Sequence, residues 1–424
     1  MRPPLYPLSI GMNRIDGNGD GAPSTKKFKS HHVTNDDDDT PLLRNRSAPS
    51  PPMPKVTVDV VIPVHNSAKT IVECLESVCT QTYDLNLITV CIFDDSSTDS
   101  SKEIISSFIE SKSTTTDLKF RFGFHKGGSR GAGFARNEAV KLSDSLMIAL
   151  LDSDDVMMPD RILCQVQSIY ATDSVDSTIC GCKFFRLPEN STAHYSEWAN
   201  SLTDRRLYLE QFRELTVLQP TWLFSRSLFT ELGGYNNKLS LADEEPSELR
   251  LAEDLRFFHA HLENNGKLMV VGGGAGGDEP LLMYRHSDDN SNLSSKTPRK
   301  LIMRLRLKSF EERILRESGG NWSDGFVVWG AGRDGKEFIK SLSPDLLPRV
   351  KFIVDVDEKK IAAGYHHRNR NIHIDVKNFR VLQEEEFKGL PVVVCVAMYR
   401  TGGKLEENVR SVGRTEGVDL WHFN

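Results

Sequence analysis

The chain has 424 residues, with 53 Lys and Arg against 59 Asp and Glu and a formal net charge of -6. At roughly 100–200 residues per domain that length suggests two to three domains. A content of 38% hydrophobic and 26% charged residues is ordinary for a globular chain and excludes collagen, coiled coil and small disulfide scaffold. The acidic balance has the wrong sign for holding nucleic acid by counterion release, so no nucleic-acid partner is expected.

No run approaches the 18 or so apolar residues of a membrane span. The N-terminus lacks a basic region followed by an apolar core, so no secretory signal is expected. None of the seven cysteines has CxxC spacing. Cys180 and Cys182 share one face of a predicted strand, where buried packing outweighs a metal pair. A reducing, cytoplasmic setting without a membrane span is the expectation.

In chain order, residues 1–55 come first, with Pro3, Pro4, Pro7, the acidic run Asp36–Asp39 and a proline-rich stretch at Ala48–Pro52. They are predicted to be a disordered N-terminal tail, because such a composition buries too little apolar surface to offset its ordering entropy. The Gly/Asp stretch from Asp16 opens like a calcium loop. Its twelfth position is Lys27, where a bidentate Glu is required, so it reads as a linker.

Residues 56–299 have the texture of an α/β domain. Val56–Val64, Ile88–Phe93 and Leu146–Leu151 are near-continuous apolar runs, as in parallel strands buried on both faces. Between them, Ile71, Leu75 and Val78 share one helical face, with Asn66 or Ser67 as the predicted cap, and Ser100–Glu110 is a second helix. Alternation of strand and helix is the α/β signature. A polar turn over Ser287–Pro298 precedes a connecting helix, residues 300–323, with Met303, Leu307, Phe310 and Ile314 at helical spacing and a stop at Gly319-Gly320. Residues 324–424 form a second α/β unit: strand Phe326–Trp329, a glycine turn, a helix through Ile339, strand Val350–Val354 and a late strand Val392–Ala397.

In open α/β sheets, ligands collect beyond the carboxyl ends of the strands. Here those ends read Pro63-Val64-His65-Asn66, then Asp94 to Asp99, then Asp152-Ser153-Asp154-Asp155. Asp94 and Asp99 are accounted for as helix caps. Crowding Asp152, Asp154 and Asp155 is costly unless a cation neutralises them. All-oxygen ligands of this kind suit Mg²⁺ or Mn²⁺. Further on, Glu253-Asp254 opens a segment with Leu251, Leu255, Phe258 and Leu262 on one face. That pair is either an acidic first turn favoured by the helix dipole or a carboxylate placed to accept a proton.

Val-Ile-Pro-Val-His-Asn (61–66), Phe-Asp-Asp-Ser-Ser-Thr-Asp (93–99), Ala-Arg-Asn-Glu-Ala (135–139) and Leu-Asp-Ser-Asp-Asp (151–155) resemble the successive motifs of family-2 glycosyltransferases with the GT-A fold. Met158–Arg161, Gly233-Gly234-Tyr235 and Ala252–Phe258 extend the resemblance in the family's order, over residues 56–295. It implies a metal-dependent, inverting enzyme that moves a sugar from a UDP-sugar to a hydroxyl acceptor. By this resemblance Pro63, His65 and Asn66 lie along the nucleoside, Asp95 bonds the base, and Arg130, within the glycine-rich stretch Gly127–Gly133, lies near base and diphosphate. Asp152 and the neighbouring Ser153 sit near the ribose, Asp152 and Asp154 hold Mn²⁺ or Mg²⁺, Asp254 is the base, and Glu253 orients it. His286, in Tyr284-Arg285-His286, is either a further metal ligand or a surface histidine. Trp222 is either an acceptor-stacking ring or a core residue. Ser67-Ala68-Lys69 departs from the family, many members of which carry an acidic residue there.

Gly330-Ala331-Gly332-Arg333-Asp334-Gly335 follows a strand and opens a helix, as a dinucleotide fingerprint does, with Asp355 at the end of the next strand. Gly330, Gly332, Gly335 and Asp355 are therefore candidate NAD(P) contacts on a Rossmann-like module. The module holds one half-fold and no catalytic domain for hydride chemistry, which favours docking or regulation. This module after an AEDLRFF segment resembles the beta-1,3-N-acetylglucosaminyltransferase-like branch of the family. That branch implies UDP-N-acetylglucosamine as donor and a galactose-containing glycan as acceptor. An NAD(P)-linked enzyme or sensor and a non-catalytic nucleotide-sugar-binding protein are the alternatives.

Overall fold

The computed structural model describes residues 55–188, 193–235, 240–241, 251–286, 297–316, 321–367, 372–397 and 401–423. All but Lys55 of the predicted tail of residues 1–55, its calcium-like loop, most of the polar turn after Ser287 and the Gly319-Gly320 stop lie outside them. The described residues belong to one compact unit.

The first sheet is built from β1 (Val58–Val64), β2 (Ile88–Asp94), β3 (Lys119–Phe124), β4 (Met147–Leu150), β6 (Thr178–Cys182), β8 (Leu223–Ser225) and β9 (Lys267–Val271), in the order β3-β2-β1-β4-β8-β6-β9. All but β8 pair in parallel. As their apolar runs require, β1 and β2 are buried along their whole length. The charged residue within β1 is Asp59, and its carboxylate pairs with Arg226. Chain order reverses between β1 and β4, which places a crevice beyond their carboxyl ends. A small second sheet, β5-β10-β7, joins Val156–Met157, Leu282–Arg285 and Phe184–Leu187 beside that crevice.

The helices of this part are α1 (Ile71–Cys79), α2 (Ser101–Lys112), α3 (Ala132–Val140), α4 (Arg161–Tyr170), α5 (Ala193–Ser201), α6 (Asp204–Leu209), α7 (Arg226–Leu232) and α8 (Glu253–Glu263). Neither Asn66 nor Ser67 caps α1, whose N-cap is Thr70. Their polar atoms bond neighbouring loops instead, as described below. Cys180 and Cys182 are buried in the core, as expected for packing thiols.

The connector α9 (Arg299–Phe310) runs into one π-helical turn, Glu311–Leu315. In that turn the Glu311 carboxylate accepts from the Ser343 amide at 2.7 Å. Beyond it a five-stranded sheet, β15-β12-β11-β16-β17, is parallel throughout. Its strands are β11 (Phe326–Trp329), β12 (Val350–Asp355), β15 (Val376–Asn378), β16 (Val392–Val394) and β17 (Leu420–His422). The hairpin β13-β14 (Tyr365–His367, Ile372–Ile374) and helices α10 (Arg333–Ser341), α11 (Glu358–Ala363) and α12 (Lys404–Ser411) complete this part. Phe212, from the segment after α6, is buried within this sheet's core beside Phe310, Phe338 and Trp421. No helix among the described residues is long and apolar enough to cross a membrane.

Candidate active site

Three loops meet at the crevice, joined by side-chain bonds. Asn66, at φ +55°, accepts from the Thr98 amide at 2.8 Å and donates its own amide to Ser97 Oγ at 2.8 Å. Ser67 Oγ lies 2.7 Å from Ser153 Oγ, across the point where strand order reverses. Asp99 accepts from the Ala68 amide at 3.0 Å and from Ser101, so it serves both as a clamp and as a local turn. Pro63 is within β1, and His65 Nδ1 lies 2.8 Å from the Asp95 carbonyl. The sequence-predicted residues of the first three strand ends are therefore brought together.

Asp95 is buried, and both its oxygens are engaged within the protein. It accepts from Ser129 Oγ at 2.7 Å, from the Arg130 amide at 2.8 Å and from the Gly131 amide at 2.8 Å, and His125 Nε2 lies 2.6 Å away. Gly131 sits at φ +102°, a turn that a side chain strains, and it leads directly into α3. Burial pushes the Asp95 carboxyl up, but these bonds from Ser129, His125, Arg130 and Gly131 outweigh it and leave the group below its ordinary value. The resemblance gives Asp95 a bond to the base; within the protein its oxygens tie down the glycine-rich loop, because the Arg130 and Gly131 amides just before α3 point at it. The Arg130 guanidinium stacks 3.8 Å over Phe134 and stays exposed.

One turn into α3, Arg136 is almost fully buried and bridges two carboxylates. Its Nη2 donates to Asp152 at 2.7 Å and its Nη1 to Glu253 at 2.9 Å. A Cβ on Gly133 would stand 3.2 Å from Glu253 Cβ, so α3 and the start of α8 are in close contact there. Arg136 is the site residue to which the motif reading gave no role. Its short motif lies between the two acidic clusters, but its partners are 16 and 117 residues away.

The acidic loop after β4 is crowded. Burial, and then Asp152, push the Asp154 carboxyl up to about 6. Burial, and then Asp154 and Asp152, push Asp155 up as well. Asp155 accepts from the Arg285 amide at 2.8 Å, and its other oxygen is buried with no partner among the described residues. An orphaned oxygen and raised carboxyls mark a surplus of negative charge, which fits a hard divalent cation with oxygen ligands. The expected trio of Asp152, Asp154 and His286 is not assembled, since the described residues contain no group of three acidic, His or Cys side chains placed to hold a metal. One Asp152 oxygen faces Arg136, and His286 follows β10 with its amide on the Leu187 carbonyl at 2.8 Å.

At the other pole, Ala252 takes a left-handed conformation (φ +53°) and α8 starts with Glu253 and Asp254. Burial, and then Glu253, raise the Asp254 carboxyl to about 7. Of its two readings Trp222 takes the core one, against acceptor stacking: its ring is wholly buried against Phe224, Phe257 and Phe258, and its Nε1 donates to the Val217 carbonyl at 2.9 Å. A side chain closed on every face cannot stack on a sugar.

Residues 59–233 match the family model "Glycosyl transferase family 2". That segment is similar to glycosyltransferase domains. Over 117 residues the chain is 31% identical to glycosyltransferase GlyG of Streptococcus pneumoniae, covering 28% of this chain and 36% of that protein. Over 200 residues it is 32% identical to a poly(ribitol-phosphate) beta-glucosyltransferase of Bacillus spizizenii, covering 47% and 28%. The chain thus spans little more than a third, or less, of these curated relatives. A solved structure, S. aureus TarS 1–349 in complex with UDP-GlcNAc, aligns with TM-score 0.46 and 20% identity over 62% of this chain and 69% of that one. The central, mostly parallel sheet is consistent with the GT-A fold. Glu253 and Asp254 lie beyond the matched residues, and Arg136 ties Glu253 to the matched segment.

In the C-terminal sheet, Gly335 is required by packing, since a Cβ there would fall 1.9 Å from the Gly330 carbonyl oxygen, while Gly332 faces open space. Asp355 accepts from the Ala331 amide at 2.7 Å and from the Val356 and Asp357 amides, and it pairs with Lys360 at 3.2 Å. The carboxylate expected to meet a ribose is engaged in closing its own turn.

Proposed function

We propose that the protein is a metal-assisted, inverting glycosyltransferase that moves a sugar from a UDP-sugar to a hydroxyl acceptor. The observation that carries this reading is the Arg136 bridge, which gathers the acidic loop and the α8 acids around one guanidinium. In it, Pro63, His65, Asn66, Asp95, Arg130 and Ser153 line the nucleotide end, and Asp152 and Asp154 face the diphosphate. A divalent ion bound there would neutralise charge on the departing diphosphate. Asp254 accepts the acceptor hydroxyl's proton as that oxygen attacks the anomeric carbon. A carboxyl near 7 is matched to a base working at neutral pH. Glu253, held by Arg136, keeps its neighbour in place. A single displacement inverts the anomeric centre.

The resemblance to the beta-1,3-N-acetylglucosaminyltransferase-like branch supports N-acetylglucosamine as the sugar and a galactose-containing glycan as acceptor. The strand order of the C-terminal sheet supports a Rossmann-like module, residues 324–424, and the engaged Asp355 favours a structural role for it over NAD(P) binding. The test is incubation with Mn²⁺ and a panel of UDP-sugars, with UDP release and UDP calorimetry as readouts. Loss of turnover in Asp254→Asn with UDP binding kept is expected. No UDP binding and no turnover with any sugar would sink the reading.

A further inference from the structure

Between the acidic loop and the base turn runs a wall of aromatic rings that the donor and base residues leave unused. At one end is Tyr284 on β10. Its neighbour Arg285 donates its amide to Asp155 at 2.8 Å and its Nε to the Asp154 carbonyl at 2.9 Å, so this end is fixed to the acidic loop. Phe184 on β7 lies 6.1 Å from Tyr284 and 6.2 Å from Tyr195, and Tyr195 lies 5.7 Å from Trp198, both on α5. At the far end the Tyr195 hydroxyl donates to the Leu215 carbonyl at 3.0 Å. Leu215 packs against the cluster of Ala252, Leu255, Leu301 and Leu305, the first two of which flank Glu253 and Asp254. Phe184 is buried behind the wall, whereas Tyr195, Trp198 and Tyr284 are only half-buried.

The charges around the two phenols agree with this span. Burial first, and then Glu214, Tyr284 and Asp254, hold the Tyr195 phenol above its ordinary range. Burial first, and then Asp155, Asp152 and Asp154, do the same for Tyr284. Guanidinium groups back the wall, with Arg186 5.6 Å from the Tyr284 ring and Arg213 5.6 Å from Trp198. Arg213 is also paired with Glu210.

We propose that Tyr195, Trp198 and Tyr284 form the acceptor subsite and take the apolar face of a pyranose ring, which selects a glycoside over a flexible or phosphate-rich acceptor. Aromatic side chains with one apolar face and one polar tip suit a ligand that is itself half apolar and half hydroxyl. The inference rests on the glycosyltransferase reading and adds the residues that hold its glycan acceptor.

Saturation-transfer difference NMR on the full chain with UDP, Mn²⁺ and each of methyl β-galactoside, methyl β-glucoside and methyl N-acetyl-β-glucosaminide tests it. Ring-proton signals from at least one glycoside are expected. Trp198→Ala and Tyr284→Leu should each reduce them by at least about fivefold, the scale of a lost aromatic contact, with the UDP signals unchanged. Trp198→Phe should keep most of the glycoside signal, because the indole N–H has no hydrogen-bond partner among the described residues. Glycoside signals that survive both substitutions, or that are absent while UDP signals are strong, would overturn the subsite. Absent UDP signals would overturn the donor reading itself.

Discussion

Arg136→Met is the substitution that asks most of the site. The guanidinium is 3% exposed and holds Asp152 at 2.7 Å and Glu253 at 2.9 Å, with those carboxylates 28% and 14% exposed. Removing one member of a buried ion pair costs about 3–5 kcal/mol, because the partner is left charged without compensation. Both carboxylates here retain some water, so the lower end, about 3 kcal/mol, is expected. Urea unfolding should show it as a lower midpoint at unchanged slope. Arg136 is also among the charges that lower the Asp254 carboxyl, which stands at about 7 with the arginine in place. Without it that carboxyl rises further, so the acidic limb of the pH profile of kcat/KM moves to higher pH. Adding Glu253→Gln should recover part of the stability, since it removes one of the stranded charges. Wild-type urea stability together with an unmoved acidic limb would refute the idea that the bridge organises the site.

Asp254 titrates at about 7 in the folded chain against 3.8 for an ordinary Asp. The folded state therefore binds more protons across that window, and stability falls as pH rises through it. Asp254→Asn should gain on the order of 2–4 kcal/mol at pH 8 and little at pH 3, and an equal gain at both would count against it. Asp95→Asn weakens charge-assisted bonds to Ser129, Arg130 and Gly131. Hydrogen exchange at the Arg130 and Gly131 amides should speed up by about tenfold or more, at roughly 1.5–3 kcal/mol for hydrogen bonds to a charged group. Leu305 is fully buried against Ala252 and Leu255. Leu305→Ala should cost about 2–5 kcal/mol and lower kcat with the donor KM kept, whereas a matched fall in both would mean general loosening.

The buried strands and the acids beyond them were legible because each signal is local. A run such as Val58–Val64 has one physical solution, a strand covered on both faces. Helix starts were less legible. Asn66 and Ser67 have the chemistry of caps, yet their atoms face Thr98, Ser97 and Ser153, partners that exist only after three strand ends converge. Trp222 illustrates a different limit, because residue type alone does not tell which face of a chain segment a ring will occupy. Arg136 is the sharpest case: a helix arginine reads as solvated until the fold brings Glu253 beside it. The glycine turn of the C-terminal sheet was legible in shape, through Gly330 and Gly335, but the engagement of Asp355 was not.

The way the C-terminal sheet meets the rest of the chain bears on what it does. His259 lies on α8, the helix that begins with the candidate base, and is wholly buried with neither ring nitrogen partnered among the described residues. Burial holds it well below its ordinary range and hence neutral. It stacks on Phe212 at 5.9 Å, and Phe212 packs on Phe310 at 4.9 Å and Trp421 at 5.3 Å, the latter on β17. A polar link runs alongside: Glu416 lies 2.7 Å from both Arg206 and His422. Burial pushes the Glu416 carboxyl up, but His422 and Arg206 outweigh it and hold it at about 2. An appendage that only recruited a partner would need no apolar seam with the catalytic part. Here the seam reaches along α8 to Asp254, while α9 covers the first turn of that helix with Leu301 and Leu305. An apolar contact of this kind transmits position, because packed interiors resist small displacements. The sheet that carries a dinucleotide-like turn is thus part of the scaffold that holds the candidate proton acceptor, and Gly335 is explained by the close approach of α10 to the Gly330 carbonyl, while Gly332 faces open space.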